Sequence, residues 1–318
     1  MAQAILIGLI AGLASALLSG LLTPGSLLAS LLFVIAPLPL MIVGLGWHPL
    51  VAALGALAGC LVMDLGLSNT AALYFGLLVG LPSYLFSELL LRLLAFLPAL
   101  PPERAGRLGG TILLGSIGAY AVLVTLGGAM VIDTSHAGFV QRVARSVETL
   151  FRDIASGGNK LPLPGGAQDL AALARLYAQM LPPMLAFIIA VMLSLSLWLG
   201  LKVARTSQRI AYPVLPAHAL SLPSAALFVF IGGFGLAQLG GYIGLFGTLV
   251  MVAVTFALIL NGLAVLHART LGSPSRALIL SGVWGAVLVF GIPAFALALV
   301  GAVDCAFGLR NTRNKPLV

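Results

Sequence analysis

Residues 4–22 read AILIGLIAGLASALLSGLL, a run without a single charged side chain. About 20 mostly apolar residues in a helix cross the ~30 Å hydrocarbon core of a bilayer. The rest of the chain has the same character, because 61% of its 318 residues are hydrophobic and only 8% are charged. Soluble domains carry about 25% charged residues, and a soluble fold could not cover so much apolar surface. The sequence therefore predicts an all-α, polytopic transmembrane helix bundle.

Eight or nine segments have the length and apolar character of a membrane span. They lie near residues 4–22, 27–45, 49–67, 71–97, 110–132, 180–203, 221–239, 243–266 and 277–303. In two of these segments proline bears on whether the segment is a simple span, because proline cannot donate the hydrogen bond that continues a helix. Pro37 and Pro39 leave open whether the second segment is a full span or re-entrant, and Pro293 interrupts the last one.

The positive charges predict how the bundle is oriented. Three short loops carry Arg104 with Arg107, the 202–209 cluster, and Arg269 with Arg276. With nine spans these loops lie on one side together with the N-terminus, and cytoplasmic loops are the ones enriched in Lys and Arg. We therefore expect a multi-pass protein of the bacterial cytoplasmic (inner) membrane with a cytoplasmic N-terminus. The basic tail does not fit, since Arg310 would then lie outside.

The net charge of +8 is distributed over loops, with no basic stripe and no interleaved aromatic residues. Nucleic-acid binding is therefore not expected. Protease, hydrolase and nucleotide-binding signatures are absent from the sequence, and the four His and two Cys form no ligand set. The sequence thus predicts no enzyme, no catalytic residue, no cofactor and no metal site.

The spans and loops divide the chain into four regions: a five-span region (1–132), an extramembrane connection (133–178), a C-terminal membrane region (179–305) and a polar basic tail (306–318). Residues 139–154 of the connection place apolar side chains on one helical face and charged ones on the other. This periodicity predicts an amphipathic interfacial helix, for which Asp133-Thr134-Ser135 supplies an N-cap. It serves either as a structural spacer or as a gate on a transport path.

The first span carries small residues at every fourth position: Ala4, Gly8, Gly12, Ala16 and Gly20. In lipid, small residues let two helix backbones approach closely, and this close packing holds membrane helices together. The stripe therefore predicts a helix-packing face. Its partner is either another helix of this chain or a separate membrane subunit.

A few polar residues lie within or at the ends of spans, where each is costly in hydrocarbon. Glu88 and Arg92 have the i, i+4 spacing of an ion pair. Asp64 and Asn69 flank the end of the third span, and Asn261 lies in the middle of a later one. Asn261 must find a hydrogen-bond partner, so it either joins helices or lines a polar cavity. In the second case Asp64, Asn69 and Asn261 would form one ligand pocket in the outer half of the bundle.

Three features of the sequence stand out together: the small-residue first span, the Asn-Gly-Leu-Ala-Val run at 261–265, and Gly301 to Asp304 followed by Gly308-Leu309-Arg310. With these features the chain resembles the YybS-like family of bacterial membrane proteins. That family is distantly similar to the substrate-binding subunits of energy-coupling-factor transporters. The resemblance implies that the first helix docks a membrane coupling subunit through an Ala-x-x-x-Ala pattern. In this chain the pairs with that spacing are Ala4 with Gly8 and Gly12 with Ala16, so glycine replaces one alanine in each pair. The span count also exceeds the six of those subunits.

Two functions follow from these features. The first is a transport-associated subunit that binds an unidentified small molecule and has no nucleotide site of its own. The alternative is a non-transporting scaffold that assembles or anchors other membrane proteins. A polar cavity at Asp64 and Asn261 would favour the first function, and a fully packed bundle would favour the second.

Overall fold

A computed structural model of the chain describes residues 2–20, 27–156, 167–213, 216 and 219–310, and over these residues it contains helices and no strands. The helices are α1 (Ala2–Gly20), α2 (Leu27–Val34), α3 (Leu38–Gly46), α4 (Pro49–Gly66), α5 (Asn69–Phe75), α6 (Leu81–Phe96), α7 (Pro102–Ile132), α8 (His136–Ser156), α9 (Ala167–Thr206), α10 (Ala225–Ala237), α11 (Gly241–Arg269), α12 (Arg276–Phe290) and α13 (Ile292–Phe307). A π-helical turn, Gly76–Gly80, joins α5 to α6.

The all-helical membrane architecture predicted from the sequence is confirmed. Seven helical stretches in the described part of the chain are long and apolar enough to cross a bilayer, or eight if the bent α12–α13 pair counts as one. This number is slightly below the eight or nine that were predicted. The difference arises at 221–239, where α10 has only 13 residues, or about 20 Å of helix.

The helices form two compact units. The first unit comprises residues 1–117, 188–223 and 258–318, and the second comprises residues 118–187 and 224–257. The two units alternate along the chain, and α7, α9 and α11 each contribute residues to both. This division differs from the four consecutive regions that the sequence suggests.

Close packing of α1 on α4 forms part of the core of the first unit. A Cβ atom on Gly12 would lie 1.9 Å from the carbonyl oxygen of Gly55, and one on Gly55 would lie 2.2 Å from that of Gly8. A Cβ on Gly59 would in turn lie 3.0 Å from the carbonyl oxygen of Gly12. Increasing numbers pair on both helices, so α1 and α4 run parallel. Only glycine permits backbones to approach this closely.

The second apolar segment is interrupted at residues 35–37, between α2 and α3. Pro37 cannot donate to the preceding turn, and the chain closes there with a shorter bond from Ala36 N–H to the carbonyl oxygen of Phe33 (3.0 Å). The hydroxyl of Ser196 lies 3.5 Å from the carbonyl oxygen of Val34, and the hydroxyl of Ser83, which donates to Val79 at 2.6 Å, lies 3.4 Å from that of Pro37. With the interruption included, Leu28–Gly46 still has the length of one span.

The second unit contains a helical hairpin made of α8 and the first turns of α9. Its core consists of Ala144, Ala174 and Ala178, with Val143 and Val147 packed against them. The predicted amphipathic helix is thus α8, and its apolar stripe packs against α9. Because α9 has 40 residues, it is about 60 Å long, roughly twice the hydrocarbon core of a bilayer. The hairpin therefore belongs to the part of α9 that exceeds a span.

Candidate functional site

A buried polar network surrounds Asn261 in the first unit. The side-chain amide of Asn261, only 2% exposed, donates to the carbonyl oxygen of Gly301 (3.0 Å) and to Oδ2 of Asp304 (3.1 Å). Its own carbonyl oxygen accepts a bond from Nη2 of Arg310 at 2.5 Å. Both ends of the amide are therefore engaged within the protein, which corresponds to the helix-joining alternative.

Arg310 neutralises Asp304 in this network. Its Nη2 lies 2.7 Å from Oδ2 of Asp304, and the two side chains are 15% and 4% exposed. Its Nη1 donates to the carbonyl oxygen of Leu220 at 2.6 Å. One guanidinium thus links α13, α11 and the segment before α10. Among the described residues, the network pairs one carboxylate with one guanidinium, so its charges balance.

Two glycines allow the helices that carry this network to touch. A Cβ on Gly262 would lie 2.0 Å from the carbonyl oxygen of Leu297, and one on Gly301 would lie 2.0 Å from that of Leu258. Gly308 ends α13 with a φ of 64°, in the left-handed region that favours glycine. This turn directs Arg310 back towards Asp304. The three short runs at 261–265, 301–304 and 308–310 are therefore one structural cluster.

The position of the C-terminal residues follows from the bend between α12 and α13, which is 118°. The chain turns back there, and Nη2 of Arg269, the last residue of α11, donates to the carbonyl oxygen of Leu309 at 2.9 Å. The start of the basic tail thus lies beside the end of α11. The count of nine simple spans did not accommodate the basic tail, and this contact shows that Leu309 lies next to the last residue of α11.

The other candidate ligand residues lie elsewhere. Asp64 is half-buried in the last turn of α4, and Asn69 is exposed at the start of α5. All hydrogen-bond partners of the Asn261 side chain that the structure describes fall within residues 301–310. No hydrogen bond that the structure describes joins Asn261 to Asp64 or Asn69, and a common pocket of the three stays a prediction.

The remaining predicted residues are placed as follows. Gly8, Gly12 and Ala16 of the α1 stripe are buried, Ala4 is half-buried and Gly20 is exposed. The buried part packs on α4, so it is occupied within the chain. Arg92 and Glu88 form an ion pair of 2.7 Å, in which the arginine side chain is 77% exposed.

The start of α8 has a well-defined polar structure. The backbone N–H and the hydroxyl of Ser135 donate to Asp133 at 2.9 Å, and Ser135 caps α8 by accepting from the N–H of Gly138. Nε of Arg142 lies 2.8 Å from Asp133. The hydrogen bonds from Ser135, with the nearby guanidinium, lower the pKa of the Asp133 carboxyl below its ordinary value. The Tyr242 hydroxyl donates to the carbonyl oxygen of Asp133 and so ties α11 to this corner.

A groove of about 760 Å³ runs along the seam of the α8–α9 hairpin, in the second unit. Its walls carry two arginines, one glutamate, and neutral polar, small and apolar side chains. They are Ser135, His136, Ala137, Gly138, Val140, Gln141, Ala144, Arg145, Glu148, Ala171, Arg175 and Gln179. Arg145 lies on the charged face that the periodicity of residues 139–154 predicts, whereas Arg175 and Gln179 were not among the predicted site residues. Their i, i+4 spacing on the extension of α9 was the available signal.

In the described ranges, no group of three or more His, Cys, Asp or Glu residues could hold a metal ion. The sequence matches the family described as "Predicted membrane protein (DUF2232)" over residues 4–305. No curated protein and no solved structure matches the chain.

Proposed function

The chain belongs to this family of membrane proteins, and we propose that it acts as a scaffold that anchors a protein-binding hairpin to the membrane. The helix bundle is the anchor, and the α8–α9 hairpin is the part that meets another protein. The single observation that carries the proposal is the position of the groove. Every residue that lines it belongs to 135–148 or 171–179, outside the apolar core of the predicted spans.

The packing of the polar residues supports the same proposal. Asn261, Asp304 and Arg310 form hydrogen bonds and an ion pair with one another. These buried polar side chains, which are costly in hydrocarbon, therefore serve to join helices. A substrate-binding subunit would instead keep such a group directed into a cavity. We propose that the hairpin lies on the extracytoplasmic side of a bacterial inner membrane, since the sequence-based count of spans assigns the 133–178 connection to the side opposite the basic loops with Arg104 and the 202–209 cluster.

Photo-crosslinking tests the scaffold in living cells. The photoreactive residue p-benzoylphenylalanine replaces Gln141 in the groove and, as a matched control, Leu123, which is 67% exposed in the spanning part of α7. We expect a discrete protein adduct from position 141 and lipid or no adduct from position 123. If position 141 gives no protein adduct while the variant is present at normal levels, the scaffold function is wrong.

A transport-associated subunit is the second candidate, and one specific observation favours it. The hydroxyl groups of Ser15 and Ser87 are fully buried without a hydrogen-bond partner, and Ser87 lies against Gly44 of α3, the helix that follows the interrupted turn. Interrupted helices near the middle of a membrane often form substrate or ion sites in transporters. The resemblance to energy-coupling-factor subunits implies the same role.

Thermal unfolding of the purified protein against a small-molecule library distinguishes this second candidate. A compound that raises the unfolding midpoint of the natural protein, but not of the Ser87→Val variant, would support transport. Stabilisation that is equal in both proteins would argue against a site at α3.

A further inference from the structure

We propose that the α8–α9 groove binds an acidic, extended peptide segment of a partner protein. The proposal rests on the scaffold function and specifies the chemistry of the partner. It begins from the distribution of charge on the hairpin, because the two arginines that line the groove form no ion pair with any residue that the structure describes.

Four arginines lie on the described part of the hairpin. Arg142 is paired with Asp133 at 2.8 Å, and Arg152 is paired with Glu148 at 2.5 Å. Arg145 and Arg175 are exposed, and among the described residues neither forms an ion pair. Both of them line the groove. Its only carboxylate, Glu148, already has a cationic partner, so the groove presents an excess of positive charge.

The neutral polar residues of the groove are suited to the backbone of a bound chain. Gln141 lies one turn before Arg145 on α8, and Gln179 lies one turn after Arg175 on α9. Each of these amides has both donors and acceptors, which a peptide backbone can use. Arginine forms paired hydrogen bonds with carboxylates. The groove therefore offers cationic positions for acidic side chains beside amide positions for main chain.

The dimensions of the groove favour an extended peptide over a small ion. Its α8 wall runs from Ser135 to Glu148, which corresponds to about 20 Å of helix. An extended chain advances about 3.3 Å per residue, so about six residues fill this length. A free phosphate ion would occupy only a small part of the 760 Å³.

The test uses the full-length protein in nanodiscs of zwitterionic lipid and a fluorescently labelled hexaglutamate peptide. Binding is measured by fluorescence anisotropy at low ionic strength, where exposed charges are least screened. Exposed ion pairs contribute up to ~1 kcal/mol each. The double variant Arg145→Gln/Arg175→Gln should therefore bind the peptide about tenfold more weakly. Arg142→Gln is the matched control, because it removes the same charge from the same helix outside the groove, and it should leave the affinity unchanged.

Several outcomes would overturn the proposal. They are no binding of hexaglutamate to the natural protein, equal binding to the double variant, displacement of the peptide by low concentrations of inorganic phosphate, and loss of peptide binding when anionic lipid is added to the nanodisc. The last two outcomes would identify a small-anion site or a lipid-headgroup site. If the peptide fails to bind but position 141 still captures a protein, the scaffold function stands without an acidic partner.

Discussion

Removal of the Arg310 side chain is the sharpest test of the buried network. Arg310→Met keeps much of the apolar stem and deletes the guanidinium. Asp304, which is 4% exposed, then loses its counter-charge and keeps only the bond from Asn261. The carbonyl oxygen of Leu220 and the side-chain oxygen of Asn261 also lose a donor. The protein must either bury a lone carboxylate or protonate it.

The two responses set the size of the effect. A buried ion pair that loses one partner destabilises a protein by about 3–5 kcal/mol. If Asp304 takes up a proton instead, the loss reduces to interhelical hydrogen bonds of about 0.6 kcal/mol each, or about 2 kcal/mol for three of them. We therefore expect Arg310→Met to lower the free energy of unfolding by about 2–5 kcal/mol.

Unfolding of the purified protein by sodium dodecyl sulfate in mixed micelles measures this free energy. Arg92→Met is the matched control, since its ion pair with Glu88 is largely exposed and should contribute less than about 1 kcal/mol. If Asp304 stays charged in Arg310→Met, the double variant Asp304→Leu/Arg310→Met should recover part of the loss, because it removes the lone buried carboxylate. If Asp304 is protonated, the double variant should recover nothing, since the oxygens of Leu220 and Asn261 still lack their donor. A loss in Arg310→Met no larger than that in Arg92→Met would refute the coupled network.

Three further predictions concern helix packing, pH and topology. Gly12→Leu should destabilise the protein by more than 2 kcal/mol in the same micelle assay, because its side chain would overlap the α4 backbone. Gly20→Leu, whose added Cβ meets nothing within 3.7 Å, should be nearly neutral. Equal effects of the two substitutions would show that the stripe is incidental. Since the pKa of Asp133 is lowered in the folded protein, its carboxylate should stabilise the fold fully at neutral pH and lose this effect as the pH falls through that lowered pKa. The difference in unfolding midpoint between the natural protein and Asp133→Asn should therefore vanish in strong acid. A difference that persists there would contradict the role given to the carboxylate. In variants that lack the native cysteines, Leu309→Cys should be protected from a membrane-impermeant thiol reagent in whole cells, and Arg145→Cys should be labelled. Labelling at position 309 would contradict the inference that the chain turns back between α12 and α13.

Much of the fold is determined by local properties of the sequence. A residue in hydrocarbon must satisfy its backbone within its own helix, so the length of each apolar run determines a helix almost independently of its neighbours. The periodicity of α8 and the Asp133–Ser135 start signal are equally local, and both are present in the structure. The spacing of Glu88 and Arg92 predicts their ion pair for the same reason.

The contacts between distant segments were decided by the tertiary structure. The sequence shows that Asn261 needs a partner, yet the choice of Asp304 and Arg310 depends on the bend after α12 and on the left-handed Gly308. The same bend precedes the helix that brings Leu309 beside the end of α11, a contact that a count of simple spans does not predict. Likewise, the small stripe of α1 was compatible with any helix, and only the opposing glycines of α4 selected it. Hydropathy measures the preference of each residue for lipid over water, which is a local property. The choice of helix partners depends on complementary surfaces that come into contact only when the helices assemble.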